Sequence, residues 1–268
     1  MSVIWDKTFQ RTVYAYYSKN GRSFPWRATR DSYLILVSEV MLQQTPVARV
    51  LLKYRVFIEH FPTMEALARA PFKAVLSVWQ GLGYNRRALF LHHLAQIVVH
   101  KHRPALPRTV EQLQGLPGIG QSTAAAVCAF AYNVPVVFCE TNIRSVYLHC
   151  FFRGKTGISD RQLLPIIEQT LDRQDPRTWY YALFDYGAML KEKYENPSRA
   201  SLHYARQSPF EGSRRQVRAQ TIAFVLDHPG STLAHLRKAV PRVTLAIVET
   251  LITEGFLQMR NKRLHIPS

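Results

Sequence analysis

The chain has 268 residues, 47% of them hydrophobic, and a formal net charge of +17 with a pI near 10.1. That excess of cations points to a polyanionic partner, nucleic acid before anionic membrane, while the apolar content sets the chain apart from a disordered basic tail. The longest unbroken apolar runs fall far short of the ~20 residues of a membrane-spanning helix, and charges interrupt any apolar core of a secretory signal at the N-terminus.

Cys128, Cys139 and Cys150 are odd in number and lack a C-x-x-C pair, which fits a reduced compartment. The expected location is intracellular: cytoplasmic and nucleoid-associated if the source is bacterial.

Residues 6–18 read as a helix with Phe9, Val13 and Tyr16 or Tyr17 on one face. Asn20, Gly21 and Pro25 break it, and Trp26-Arg27 follows in a loop. Asp31 or Ser32 caps the next helix, which runs to about Gln44. Within it Glu39 lies between Ile35 and Leu36 one turn before and Leu42 and Gln43 one turn after, so an acid sits in a mostly apolar stripe. Such a residue is either a buried acid tied to an arginine or a carboxyl whose desolvation raises its pKa toward that of a general acid. Thr45-Pro46 has the form of an N-cap and first helical residue.

Helices are then expected over 46–60, 64–69, 72–80, 85–101 and 109–115, broken at Phe61-Pro62, Pro71, Gly81-Leu82-Gly83 and Pro104 to Pro107. No alternating pattern of any length occurs, so the class is all-α. Gly81-Leu82-Gly83-Tyr84 can be a helix end, or a nucleic-acid contact in which an exposed leucine wedges between bases while Arg86 and Arg87 meet phosphates. At Leu116–Val127, LPGIGQSTAAAV, Gly118 and Gly120 can bring a hairpin backbone up to a phosphate at a helix N-terminus.

Glu140 follows a short apolar run, and Thr141 or Asn142 is the expected cap of a helix to about Phe152. Helices over 160–172, capped by Asp160, and 176–190 come next. Residues 191–210 read as a polar, basic linker. A helix over 213–227, a Ser231/Thr232 cap, two further short helices and a hairpin with Arg260-Asn261-Lys262 at its tip resemble a winged helix-turn-helix.

With FPWR (24–27), VSEVMLQQTPV (37–47), WQGLGYNRRA (79–88), LPGIGQSTAAAV (116–127), ETNIRSV (140–146) and DYGAM (185–189) in this order, the chain resembles the helix-hairpin-helix DNA glycosylase superfamily over residues 5–190. Within it, MutY-type adenine DNA glycosylases are most similar, and endonuclease III is a further relative. The resemblance implies a two-lobed helix-hairpin-helix fold: a lobe of 1–29 and 135–209, a six-helix lobe of 30–134 with the hairpin at 109–133, and a small winged-helix-like domain at 210–268.

It also implies a DNA glycosylase of base excision repair that removes adenine opposite 8-oxoguanine or guanine, working as a monomer on double-stranded DNA and not on membranes. Glu39 would protonate the purine, Glu140 would stabilise the sugar cation where the family has aspartate, and Asn142 would order the catalytic groups. Arg27, Gln44, Thr45, Leu82, Tyr84 and Ser122 would form the base pocket and opposing-base contacts. Gly118, Gly120, Gln121, Arg86 and Arg87 would bind phosphate. In bifunctional relatives a Schiff-base lysine stands where this chain has Ser122, so no β-lyase activity is expected.

The family's iron–sulfur cluster is held by four cysteines beyond the DYGAM-like motif. Residues 191–210 contain none, so neither a cluster nor any other metal or cofactor is expected, and Arg199, His203, Arg206, Arg214 and Arg215 become candidate phosphate contacts. Where the family has a larger C-terminal domain, this sequence has the winged-helix-like segment. Ser122 and Glu140 leave two other readings open: a glycosylase for another base, such as uracil or thymine opposite guanine, or a non-catalytic DNA-binding protein on the same scaffold.

Overall fold

The computed structural model describes residues 3–101 and 105–267; the Pro104 end of the expected Pro104–Pro107 break lies outside them. Among the described residues the helices are α1 (Val3–Asn20), α2 (Ser32–Leu42), α3 (Val47–His60), α4 (Met64–Arg69), α5 (Phe72–Trp79), α6 (Arg86–Lys101), α7 (Val110–Gln114), α8 (Gln121–Tyr132), α9 (Thr141–Phe151), α10 (Asp160–Thr170) and α11 (Pro176–Lys193). Then come α12 (Arg214–Asp227), β1 (Ser231–Thr232), α13 (Leu233–Ala239), α14 (Leu245–Thr253), β2 (Gln258–Arg260) and β3 (Arg263–His265). No helix among the described residues is long and apolar enough to cross a membrane.

Local chemistry sets most of the ends. Asp31 accepts from the amides of Tyr33 (2.8 Å) and Leu34 (3.1 Å) and so starts α2. Thr63 caps α4, Thr109 caps α7 and Asp175 caps α11. Two expected caps are corrected. Pro46, not Thr45, precedes α3, with no side-chain cap, because Thr45 is turned inward. Helix α10 begins on a capping box formed by Ser159 and Gln162, one residue before the expected Asp160.

The chain divides into two compact units, Met1–Glu39 with Pro107–Gly115 and Ile119–Arg206, and Val40–Leu106 with Leu116–Gly118 and Gln207–Ser268. In the first, Phe9 of α1 meets Tyr147, Phe151 and Trp179 edge-on at 5.1–5.7 Å, and Phe130 of α8 stacks on Tyr181 of α11 at 4.3 Å. Helices α9 and α11 approach so closely that a Cβ on Gly187 would lie 2.3 Å from the Asn142 carbonyl oxygen. The expected linker is corrected here. Helix α11 continues to Lys193, and Pro197–Ala200 forms a turn against α9, with Ser198 Oγ 2.6 Å from Ser145 Oγ. Single polar pairs of this kind have no periodicity to betray them.

In the second unit Phe57, Phe61 and Trp79 form an aromatic core. Phe256 from the C-terminal part packs on Phe72 at 6.1 Å, and Gly255 faces Leu89. Residues 255–256 thus pack on α5 and α6 within the second unit. Helices α12–α14 and an antiparallel sheet of order β1-β3-β2 give the element order of a winged helix. At its tip Asn261 (φ 50°) and Lys262 (φ 61°) form the two-residue turn that hairpin twist favours. Strand β1 is an addition to the expected hairpin: Thr232 both pairs with Arg263 and caps α13.

Candidate active site

In the first unit the two acids singled out by the sequence are brought together. Glu39 keeps a partly exposed edge on α2 while Val37 and Ser38 beside it are fully buried. Burial pushes its pKa from 4.5 up to about 8, the negative charge of Glu140 adds to the rise, and the Arg27 guanidinium opposes it.

Glu140 is itself the N-cap of α9, which corrects the expected Thr141 or Asn142. Its Oε1 accepts from the backbone amides of Asn142 (2.6 Å) and Ile143 (2.9 Å), and its Oε2 faces the Asn142 side-chain amide at 3.4 Å. The glutamate chain is long enough to fold back onto the first turn, where free amides and the helix dipole favour an anion. Burial raises the pKa of Glu140. Against that stand the Ile143 and Asn142 amides and the charges of Lys191 and Arg144. These groups favour the ionised form of Glu140 without cancelling the effect of burial, so both carboxyls are raised, and Glu39, which lacks such donors among the described residues, reaches about 8.

Arg27 is held by Asp185 and Tyr181. It makes two hydrogen bonds of 2.8 Å to Asp185, whose side chain is fully buried, and lies 4.6 Å over the Tyr181 ring. Its side chain is 8% exposed, and its charge acts on Glu39. Ser122 is exposed and its hydroxyl reaches the Cys139 carbonyl at 3.4 Å, one residue before Glu140.

Sequence reasoning missed Asp185 and Lys191. Both lie on α11, and the signal was the helical spacing Gly187 to Lys191: the glycine touches Asn142, and the residue one turn later projects its charge to Glu140. Burial lowers the Lys191 pKa, and Glu140 pulls it back up.

The second unit carries Gln44, Thr45, Leu82, Tyr84, Arg86 and Arg87. Gln44 is exposed with φ 53°, and Tyr84 is half-exposed with φ 49°, conformations few non-glycine residues adopt. Three expectations need correction. Leu82 is not an exposed wedge; it is 2% exposed. Thr45 is 8% exposed and accepts from Arg87 Nη2 at 3.0 Å.

Arg87 does not face outward to phosphate: its guanidinium donates to the carbonyls of Val40, Met41, Gln43, Leu82 and Gly83 at 2.6–3.3 Å. Burial brings even this guanidinium's pKa down to about 10. Arg86 is exposed and pairs with Glu254 at 2.5 Å. Around the hairpin, Gly118 has φ 75° and a Cβ there would strike Phe90 at 2.7 Å, so glycine is required structurally. Gly120, the N-cap of α8, has nothing within 4 Å of a Cβ position, and Gln121 next to it is exposed. A helix N-terminus is open there.

Residues 37–169 match the family model described as HhH-GPD superfamily base excision DNA repair protein. Over those residues the chain carries this family's domain. It is 31% identical over 187 residues to an adenine DNA glycosylase of Buchnera aphidicola, covering 68% of this chain and 52% of that protein. It is 45% identical over 177 residues to an adenine DNA glycosylase of Mycolicibacterium smegmatis, covering 65% and 60%. The chain thus spans about half the length of the curated relatives it matches. Among solved structures, a thermostable thymine-DNA glycosylase shares the fold with a TM-score of 0.62 at 24% identity, over 74% of this chain and 96% of that one.

The four-cysteine iron–sulfur cluster of such proteins does not fit the residues present. The chain has three cysteines, none between 191 and 210, one fewer than the four thiolates such a cluster takes. Among the described residues no group of three or more His, Cys, Asp or Glu could hold a metal ion.

Proposed function

We propose that the protein is a DNA N-glycosylase of base excision repair that releases mismatched adenine from duplex DNA. The observation that carries this reading is the carboxyl pair: Glu39 with its pKa raised to about 8, beside a Glu140 whose anion two amides and two cations favour against the effect of burial. The adenine DNA glycosylases among its relatives support the choice of base.

The chemistry follows from the two protonation states. An extruded purine leaves C1′ as a neutral base once a ring nitrogen is protonated, and Glu39 holds a proton at neutral pH for that transfer. The bond electrons leave with the base, C1′ becomes oxocarbenium-like, and the Glu140 carboxylate opposes that charge until water adds. Asn142, whose backbone and side-chain amides both contact Glu140, fixes the carboxylate plane. Ser122 has no amine for a Schiff base, so the reaction ends at the abasic site without strand cleavage.

Duplexes containing A·8-oxoG, A·G, T·G or U·G, incubated with the protein and then treated with alkali, test this. Strand breaks at adenine opposite 8-oxoguanine or guanine are expected, lost in Glu39→Gln and Glu140→Ala. Breaks only at thymine or uracil would replace adenine as the substrate, and tight mismatch binding with no break in any duplex would leave a binding protein. Borohydride is expected to trap no covalent complex; a complex lost in Lys191→Ala would overturn the monofunctional assignment.

A further inference from the structure

Within the first unit α9 and α11 run antiparallel. Gly187, late in α11, lies against the Asn142 carbonyl at the start of α9. Trp179, early in α11, and Tyr147 and Phe151, late in α9, all meet the ring of Phe9. Lys191 comes four residues after Gly187, about one turn and ~6 Å further along the axis. Because the helices are antiparallel, that step leads past the first residues of α9 toward its N-cap, Glu140. Helix α11 ends at Lys193 and the chain turns back, so that Ser198 Oγ lies 2.6 Å from Ser145 Oγ and donates to the Thr141 carbonyl at 3.4 Å. Lys191 is thus bracketed by two contacts, at 187 and 198, to the turn of α9 that Glu140 caps.

Lys191 is half-buried, whereas Lys193 two residues on is exposed. Arg144 and Arg22 lie near enough to act on Lys191 as like charges, but each has a carboxylate of its own, Asp160 and Asp185, at 2.6 Å. On Glu140 both cap amides fall on Oε1, and Oε2 is left with the Asn142 side-chain amide at 3.4 Å. A carboxylate anchored mainly by one oxygen can swing about that anchor. The charged groups around it are Lys191 from α11, Arg144 from its own helix and Glu39 from α2, with Arg27 acting through Glu39. Cys139 beside it is a thiol that burial pushes up to about 12. Of the two cations, Lys191 acts on Glu140 more strongly than Arg144 does, and it comes from a second helix.

We infer that Lys191 is a positioning residue for base release: its ammonium, brought over the first turn of α9 by α11, holds Glu140 on its cap as the anion that opposes the sugar cation. The role rests on the base-excision reading only in taking Glu140 as the group that faces the sugar. It also gives the glycine at 187 a second consequence. A larger residue there would lift α11 from Asn142 and carry the Lys191 charge away from the cap.

The test uses the full chain and two measurements. The first is single-turnover release of adenine from an A·8-oxoG duplex, with protein in excess, as a function of pH. Removing a cation disfavours the nearby anion, so Lys191→Met is expected to move the acid limb up by about one pH unit and to slow release near neutrality. Lys191→Arg, which keeps the charge, is expected to recover most of that shift, and Lys193→Met to cause none. The second is a carbon-13 NMR titration of the Glu140 carboxyl in the free protein, its resonance identified by its loss in Glu140→Gln. It needs no substrate, and Lys191→Met is expected to raise this titration by about the same one unit. Lys191→Gln takes the place of Lys191→Met if the latter does not fold.

A wild type that releases no base while the Glu140 titration still moves would remove the excision reading and leave the hold of Lys191 on Glu140 in place. Three results would overturn that hold. One is a Glu140 titration unmoved in folded Lys191→Met, and another is a Lys191→Arg protein no closer to wild type than Lys191→Met. The third is an unchanged acid limb with weaker binding to an abasic-analogue duplex and a salt slope shallower by about one, which marks an ordinary phosphate contact.

Discussion

At the scale of single residues, the proposed reaction depends on one carboxyl that keeps its proton to about pH 8 and a second whose anion two amides and two cations favour. Activity therefore has two limbs. Excision is expected to fall as pH rises through about 8, where Glu39 ionises, and to fall in acid as Glu140 takes up a proton. The same group leaves a mark on stability. Its pKa is raised from 4.5 unfolded to about 8 folded, so between those values the folded state binds the extra proton, and stability present below 4.5 is lost as pH climbs toward 8. Glu39→Gln has no proton to lose. Its melting temperature should match wild type near pH 4.5 and exceed it increasingly toward pH 8.5, and equal differences at both ends would show that Glu39 is not perturbed as described.

Glu39 was legible in the sequence because an acid inside a 3.6-residue apolar stripe stands out. Arg86 and Arg87 were not distinguishable that way. They are neighbours with one side-chain chemistry, and only the ~100° step between successive helical positions sends Arg87 inward to five carbonyls and Arg86 outward to Glu254. Glu140 as a cap escaped notice for a different reason: cap preferences favour the threonine and asparagine beside it, and a glutamate caps only when its neighbours let it fold back.

At the scale of elements, the helix limits were readable to within a few residues because proline, glycine and capping side chains mark them. The pairing of helices was not readable, since it depends on which small residue faces which backbone. Gly187 shows this. It sits in mid-helix, where glycine costs up to about 1 kcal/mol against alanine, and its use is the approach of α11 to Asn142. In Gly187→Ala the gain in helix propensity is outweighed, because the new Cβ at 2.3 Å from a backbone oxygen has no flexible neighbour to push aside.

A net loss of about 1–3 kcal/mol is expected from the overpacking, read by urea denaturation. Asn142 and Glu140 ride on the displaced turn of α9, so single-turnover excision should fall more than binding to an abasic analogue. A variant that is stable but catalytically normal would mean that the close approach does not hold the carboxylate in place.

At the scale of the whole molecule, the net charge of +17 overstates the charge available to a polyanionic partner. Arg22 and Arg27 are spent on Asp185, Arg144 on Asp160, Arg218 on Glu254, Arg87 on backbone carbonyls, and Arg177 on the carbonyls of Arg27, Thr29 and Phe130. A cation already neutralised or enclosed releases no counterion when DNA binds. The count of arginines and lysines thus gives the sign of the partner's charge, and the structure decides how many of them can grip it.

For a footprint of about six phosphates, affinity for a mismatch-containing duplex should fall roughly a thousandfold between 50 and 200 mM salt. Arg87→Met is expected to weaken stability without changing that slope, since Arg87 meets no phosphate. Fluorescence anisotropy across a salt series measures both. A wild-type slope no steeper than about −2 would remove phosphate neutralisation as the main source of affinity. A slope that became shallower by about one in Arg87→Met would instead put its guanidinium on the DNA backbone, and the enclosed geometry around Val40 and Met41 would have to open on binding.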